Sequence, residues 1–212
     1  MPSPRFAFTL WNMTQRSPVD FSVSAGACFA GCLALLLLPL NLVLSIFVAA
    51  AIHELAHIVL LCCYRVPILR VEFGIGGAQI HTAPLPPLRE LICAAAGPVG
   101  SFCCLLFLHR FPLLAVCGSL HGFFNLLPLY PLDGGRMLQC FCQCCCPQWT
   151  RPICQTGKWL TITAVSVLSF YLSFRLRDLT FLIAAAYFLL KTAGNEKLLA
   201  KRRNIEYNIA DF

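Results

Sequence analysis

Charged side chains are scarce in this sequence: 12% of its 212 residues are Asp, Glu, Lys or Arg, against 58% apolar residues. That scarcity excludes a soluble globular domain, whose composition would carry about twice the charge. Together with a mean hydropathy of +0.75, it puts the chain among integral membrane proteins. Acidic residues number only 9, and between Cys28 and Cys63 the sole acidic residue is Glu54. A clustered basic face and a nucleic-acid recognition motif are both missing, so the net charge of +7 calls for no nucleic-acid partner. The basic residues are spread over loops and tail, where anionic lipid headgroups are their neighbours. A cleavable signal peptide is missing as well. Arg5 and Arg16 precede the first apolar run, but no small-residue cleavage site closes a short hydrophobic core.

What the chain has instead is long apolar runs. The expected fold class is an all-α polytopic membrane protein of about six transmembrane helices. The expected spans are Phe21–Leu38, Leu40–Tyr64, Leu88–Leu108, Pro112–Leu129, Lys158–Phe174 and Leu179–Lys191. The expected organisation is a cytoplasmic segment over 1–20, a membrane domain over 21–191 and a short basic tail over 192–212, where Lys201-Arg202-Arg203 reads as a juxtamembrane anchor. With the N-terminus inside, only Arg110, Arg175 and Arg177 of the 16 Lys and Arg residues fall outside. This asymmetry predicts a multi-pass cell-membrane protein with both termini cytoplasmic.

One apolar run holds a group of residues that is expensive there. His53-Glu54-Leu55-Ala56-His57 lies within the second expected span, where a central charge costs roughly 2.5–3.5 kcal/mol even on a lenient insertion scale. Residues at i and i+4 share a helix face, so both imidazoles can reach one Zn²⁺ at about 2.0–2.1 Å. Glu54 lies one residue round the helix, close enough to take a proton from an activated water. The bland alternative is a polar helix-packing motif. In the expected orientation His57 lies about seven residues, or roughly 10 Å, from the cytoplasmic end of its span, so the site is reached from that side.

Catalytic zinc needs a third ligand. Asp133 closes the fourth expected span in Asn125-Leu126-Leu127-Pro128-Leu129-Tyr130-Pro131-Leu132-Asp133-Gly134-Gly135-Arg136. Pro128 and Pro131 interrupt the helix, while Gly134 and Gly135 open backbone turns closed to other residues, so a broken helix end can turn the carboxylate inward. Alone, the segment reads equally as an Asp-Gly turn at a membrane border. Beside the histidine pair, Asp133 is the best third ligand.

HELAH followed by NLLPLYPLDGGR resembles the site-2 protease family of intramembrane zinc metalloproteases, and within it the compact sporulation type that processes the sigma-K precursor. The resemblance covers about Leu40 to Leu138 and is weaker beyond. It implies one Zn²⁺ on His53, His57 and Asp133, with Glu54 as general base. It also implies that Asn125 and Pro128, in the Asn-x-x-Pro element, act at the substrate backbone. The implied partner is a membrane-embedded or membrane-tethered protein, a sigma-factor precursor or an anti-sigma factor among the candidates, with membrane inhibitors or regulators beside it. Where the family has Gly, this chain has Ala56, a better helix former. Many sporulation-type members carry a cytoplasmic CBS domain, and the tail here is too short for one or for a PDZ domain.

The segment Arg70–Ile80 alternates as a strand, with Gly74, Gly76 and Gly77 inviting close backbone approach. The resemblance implies a membrane-dipping β-hairpin whose edge receives substrate at Gly76 and Gly77; taken alone it is equally a Gly-rich loop. Ala95-Ala96-Gly97-Pro98 resembles a family segment, and close helix packing accounts for it. His81 is expected in the loop after the strand and His109 at an outer membrane edge. His121 shares a helix face with Asn125 and is read as a packing residue ahead of a substrate-binding one. The chain's 14 cysteines lie in spans or on the expected reducing side, against disulfides. Cys140, Cys142, Cys144, Cys145 and Cys146, with Cys154, form a loop cluster without the paired spacing of a zinc ribbon. Two other functions are weighed against peptide hydrolysis: a catalytically inactive membrane scaffold of the same fold, and a zinc-handling transporter.

Overall fold

The computed structural model describes residues 19–74, 77–183, 185–186 and 189–190. Helix α1 (Ala25–Leu37) and helix α2 (Leu40–Cys63) are separated by Pro39. Helix α3 (Pro87–Cys103) starts on the Pro86-Pro87 pair and runs on into a 3₁₀ turn, Cys104–Phe107. Helix α4 spans Pro112–Asn125, α5 spans Asp133–Cys145, and α6 spans Thr150–Leu176. Strands β1 (Asp20–Val23), β2 (Ile68–Gly74) and β3 (Gly77–Thr82) form one sheet in the order β1-β2-β3.

Helix α3 is the hub, packing against α2, α4 and α5, while α6 leans on α5. The arrangement is inside-out by the standard of a soluble protein. On α2 the buried face carries His53 and His57, 2% and 8% exposed, whereas Phe47 is 63% and Leu55 57% exposed. Apolar side chains face outward because lipid tails are as good a solvent for them as a protein core, and packing is left to small residues that let backbones approach. Gly100 of α3 shows this contact with α2. A Cβ there would lie 2.7 Å from Ala56 Cβ and 3.2 Å from the Ile52 carbonyl oxygen. Ala56 therefore keeps its methyl because the facing position on α3 has none.

Among the described residues, the helices long and apolar enough to cross a membrane are Leu40–Cys63, Pro87–Phe107 and Pro147–Leu176. The second and third expected spans match the first two of these within a residue or two. Of the other expected spans, the first, fourth and fifth need correcting. Phe21–Val23 is a strand in place of the first turn of a helix, because Asp20-Phe21-Ser22-Val23 alternates and pairs in parallel with β2. Ser24 then caps α1, its Oγ accepting from the Ala27 N–H at 3.1 Å. Helix α1 has 13 residues and α4 has 14, about 20 Å each at 1.5 Å per residue and short of a 30 Å hydrocarbon core. Pro128 explains why α4 stops at Asn125 instead of Leu129. Helix α6 begins eight residues before the expected Lys158, since Pro152 lies in its first turn, where proline is tolerated. Of the last expected span, the described residues from 180 are helical; its end, like the tail over 192–212, lies outside the described residues.

The expected hairpin is present. Strands β2 and β3 pair antiparallel, with Val71 opposite Ile80 and Gly74 opposite Gly77. The third strand β1 was not expected, and His81 sits inside β3 opposite Arg70, not in the loop beyond it. Polar side chains share one face: Asp20 to Arg70 is 3.1 Å, Arg70 to Glu72 is 2.8 Å and His81 to Glu72 is 3.5 Å. The chain enters the sheet through a tight helix end on α2. Arg65 takes a left-handed φ of 54°, and the Val66 N–H reaches back to the Leu61 carbonyl at 2.9 Å.

Gly100→Ala is expected to cost about 1–3 kcal/mol through overpacking. Adding Ala56→Gly should restore most of it by removing the facing methyl. Thermal midpoints of the purified variants in detergent check this; an unchanged midpoint for Gly100→Ala would show that the two helices do not meet there.

Candidate metal centre

Three buried side chains from two distant parts of the chain meet at one point. His53 and His57 come from adjacent turns of α2, and Asp133 is the first residue of α5. His53 Nε2 lies 3.0 Å and His57 Nε2 3.1 Å from Asp133 Oδ2, and the two Nε2 atoms are 3.2 Å apart. Among the described residues this is the group of His, Cys, Asp or Glu side chains close enough to hold a metal ion together.

The chemistry of the donors fits a cation. His57 Nδ1–H donates to the Cys93 carbonyl at 2.8 Å, so in the neutral ring Nε2 carries a bare lone pair. His53 Nδ1 is 2.8 Å from Ser101 Oγ, a partner that leaves its Nε2 turned to the same point. Two imidazole lone pairs and a carboxylate oxygen thus crowd together. Tetrahedral zinc with bonds of 2.0–2.1 Å would set its ligand atoms about 3.3 Å apart, close to the spacing observed. Hydrogen bonds from the far nitrogen of each ring are the usual way in which metal-binding histidines are oriented.

Helix α3 supplies both of these partners and the room between them. A Cβ on Gly97 would strike His57 Nε2, and would come within 2.6 Å of His53 Nε2 and of His57 Cε1. The Ala-Gly-Pro segment therefore does more than pack helices: its glycine leaves the space that the imidazoles occupy. The signal was in the sequence as a lone glycine among alanines, but nothing in its spacing tied it to the histidines.

The route by which Asp133 arrives differs from the expected one. Gly134 and Gly135 are the first residues after it on α5 and neither takes a positive φ; among the described glycines only Gly77 does, at 107°. What excludes a side chain is proximity. A Cβ on Gly134 would strike the Leu126 carbonyl, and one on Gly135 would come within 2.7 Å of the Leu129 carbonyl oxygen. The backbone of 126–130 folds directly onto the start of α5, with Leu129 buried beneath it.

Glu54 lies about 100° round α2 from His53, near enough to His53, His57 and Asp133 for their charges to act on its carboxylate, with Ala78 of β3 also beside it. Asn125 ends α4, half-buried, its Nδ2 donating to the His121 carbonyl at 3.1 Å. His121 lies closer to the site than the sequence indicated. Its ring stands edge-on to His53, centroids 4.6 Å apart. Pro128 lies beside Gly157 of α6. Gly77 opens β3 with free space around it, and Gly76 lies outside the described residues. Of the cysteine cluster, Cys140, Cys142, Cys144 and Cys145 lie on α5, not in a loop, while Cys146 follows its end and Cys154 lies on α6. Cys140 and Cys142 are buried; desolvation, then the neighbouring Glu90 carboxylate, pushes the Cys140 thiol up to about 11. Burial, then Cys146, raises Cys142 as well. Such thiols pack as small apolar groups.

In a solved-structure comparison the chain superposes on a site-2 protease from Methanocaldococcus jannaschii with a TM-score of 0.56, over 86% of this chain and 93% of that one, at 20% identity. The fold is that of a site-2 protease. A zinc metalloprotease of the same organism is 34% identical over 113 residues, 46% of this chain and 33% of the relative. The matched stretch thus spans about a third of that relative's length. No protein-family model matches the chain.

Gly97→Ala should weaken zinc binding at least about tenfold, and Ser101→Ala by about 10–100-fold, the usual effect of removing a partner that orients a ligand. Chelator competition on the purified protein measures both. Affinity unchanged in Gly97→Ala would mean that the glycine is not what makes room for the rings.

Proposed function

We propose that this chain is an intramembrane zinc endopeptidase of the site-2 protease type. The observation that carries the reading is the convergence of His53, His57 and Asp133 within 3.2 Å of one another, with Glu54 one residue along the same helix. Similarity to a zinc metalloprotease and to a site-2 protease supports it. Zinc held by these three residues supplies the Lewis acidity that makes water a nucleophile near neutral pH. Glu54 takes the proton of the attacking water and hands it to the departing amine. Asn125 has two Nδ2–H groups and spends one on the His121 carbonyl; the second serves the carbonyl oxygen of the scissile peptide as negative charge develops there.

The substrate enters as an extended strand along the free edge of β3, from Gly77 onward, with Gly76 of the same expected substrate contact outside the described residues. The sheet order leaves that edge unpaired among the described residues, and the Ala78 amide on it already reaches Glu54. Counting α1, α4 and the helix from 180 beside the three long ones gives six segments, with both termini cytoplasmic by the distribution of Lys and Arg. The substrate class is a membrane-embedded or membrane-tethered protein. A sigma-factor precursor or an anti-sigma factor is what the resemblance to the sporulation type implies, and membrane regulators of such an enzyme belong to the same expectation.

Glu54→Gln is expected to lower cleavage about 10²–10⁴-fold while leaving about one zinc per chain. Membrane proteomes of cells expressing wild type and Glu54→Gln give the comparison, with cleaved products accumulating only in the first. Equal cleavage in both would overturn the assignment of Glu54. Retained zinc with no cleavage in the wild type would favour the inactive scaffold.

A further inference from the structure

Four residues of α3 lie at successive turns on one face: Glu90, Cys93, Gly97 and Ser101. Ser101 meets His53, the Cys93 carbonyl meets His57, and Gly97 clears space for both rings. Glu90, at the N-terminal end of the stripe, has no part in the proposed reaction, yet it is contacted twice by α5. Arg136 Nη2 donates to Glu90 Oε1 at 3.3 Å, and Cys140 lies near the same carboxylate. Asp133, Arg136 and Cys140 are spaced three and four residues apart, so they share one face of α5. Both charged partners are about one-third exposed.

We infer that Glu90 and Arg136 form a positioning pair that fixes α5 against α3 and so sets the Asp133 carboxylate opposite the two histidines. The inference rests on the metal reading of the site. Three physical points lead to it. Asp133 is the first residue of its helix, and the Leu132 N-cap makes no side-chain hydrogen bond. Its placement therefore depends on how the body of α5 is held. Gly134 and Gly135 remove side-chain interlocking next to the ligand in exchange for close approach, which stops α5 moving toward the loop but does not fix its rotation or its slide along α3. The Arg136 guanidinium, one turn into α5, meeting the Glu90 carboxylate of α3 fixes both. An exposed ion pair contributes little to stability, so the consequence lies in where Asp133 sits and not in whether the protein folds.

Zinc affinity of the full chain, purified in detergent and titrated against a competing chelator, tests this for Glu90→Gln, Arg136→Gln and the double variant. Each single change should weaken zinc about tenfold, the low end for residues that orient a ligand, and the double should be no weaker than either single, because both break one contact. In an Asp133→Ala background the same changes should move affinity by less than about twofold, since the pair acts through Asp133. General damage to the bundle would instead weaken zinc equally in both backgrounds. Undiminished affinity in the single variants, additive losses in the double, or an equal loss in the Asp133→Ala background would each overturn the pair. Absence of tight zinc binding by the wild type would overturn the metal reading, and the pair with it. Variants that bind zinc normally overturn the pair alone.

Discussion

Two imidazole lone pairs and a carboxylate oxygen aimed at one point repel one another, and much of this architecture serves to hold them there. In water such a cluster would relax by rotation of the side chains. Here each is held from behind: His57 by a carbonyl, His53 by a hydroxyl and Asp133 by the backbone packed against the two glycines that follow it. A cation at the shared point converts the repulsion into the strongest attraction in the molecule. The polar interior and the apolar exterior follow from the same requirement, because in a lipid solvent the buried face of a helix is the place where polar groups find partners.

Helix α3 organises this interior. It carries no proposed ligand and no proposed catalytic group, but its contacts run to both imidazoles directly and to the ligand-bearing helix α5 through Glu90. A single helix face can do this because 3.6 residues per turn returns a side chain to the same side every three or four positions. The small residues on it set distances as much as the polar ones. Gly97 and Gly100 bring α2 close enough for carbonyl and hydroxyl to reach the rings.

The motif residues were legible in the sequence because their chemistry is costly in an apolar run, and cost is visible without a structure. His53, His57 and Asp133 meet as their residue types imply, and the alternation of Arg70–Ile80 reads as a strand, the hairpin itself coming from the family resemblance. What could not be read depends on contacts between segments. Strand β1 pairs with residues some fifty positions away, and nothing within four short residues announces a partner. Phe21 looked like the start of a span because hydropathy counts apolar residues without asking which way they point. Helix α5 was missed since Asp-Gly-Gly signals a turn, and only the packed backbone of 126–130 explains why glycine belongs at the start of a helix. The sequence favours a packing role for His121, because its position beside His53 depends on the crossing of α2 and α4.

The spacing of the histidine motif has a geometric consequence for the proposed reaction. One residue is about 100° of helix rotation, so a carboxylate adjacent to a histidine cannot share its face. His53 and His57 look toward α3 and α5, while Glu54 lies beside both that ligand group and Ala78 of β3. Glu54 thereby stands at the edge between the side that would hold the ion and the side open to a strand. A substrate entering on the strand side must be extended, so a helical segment has to unwind first. Each backbone group released from its helix in a lipid environment costs several kcal/mol unless it is paired again. Hydrogen bonds along the β3 edge repair that loss only over the length of the edge, which favours segments that need to unwind over a few residues. On this reading, selectivity is set as much by the helical stability of the substrate as by its side chains.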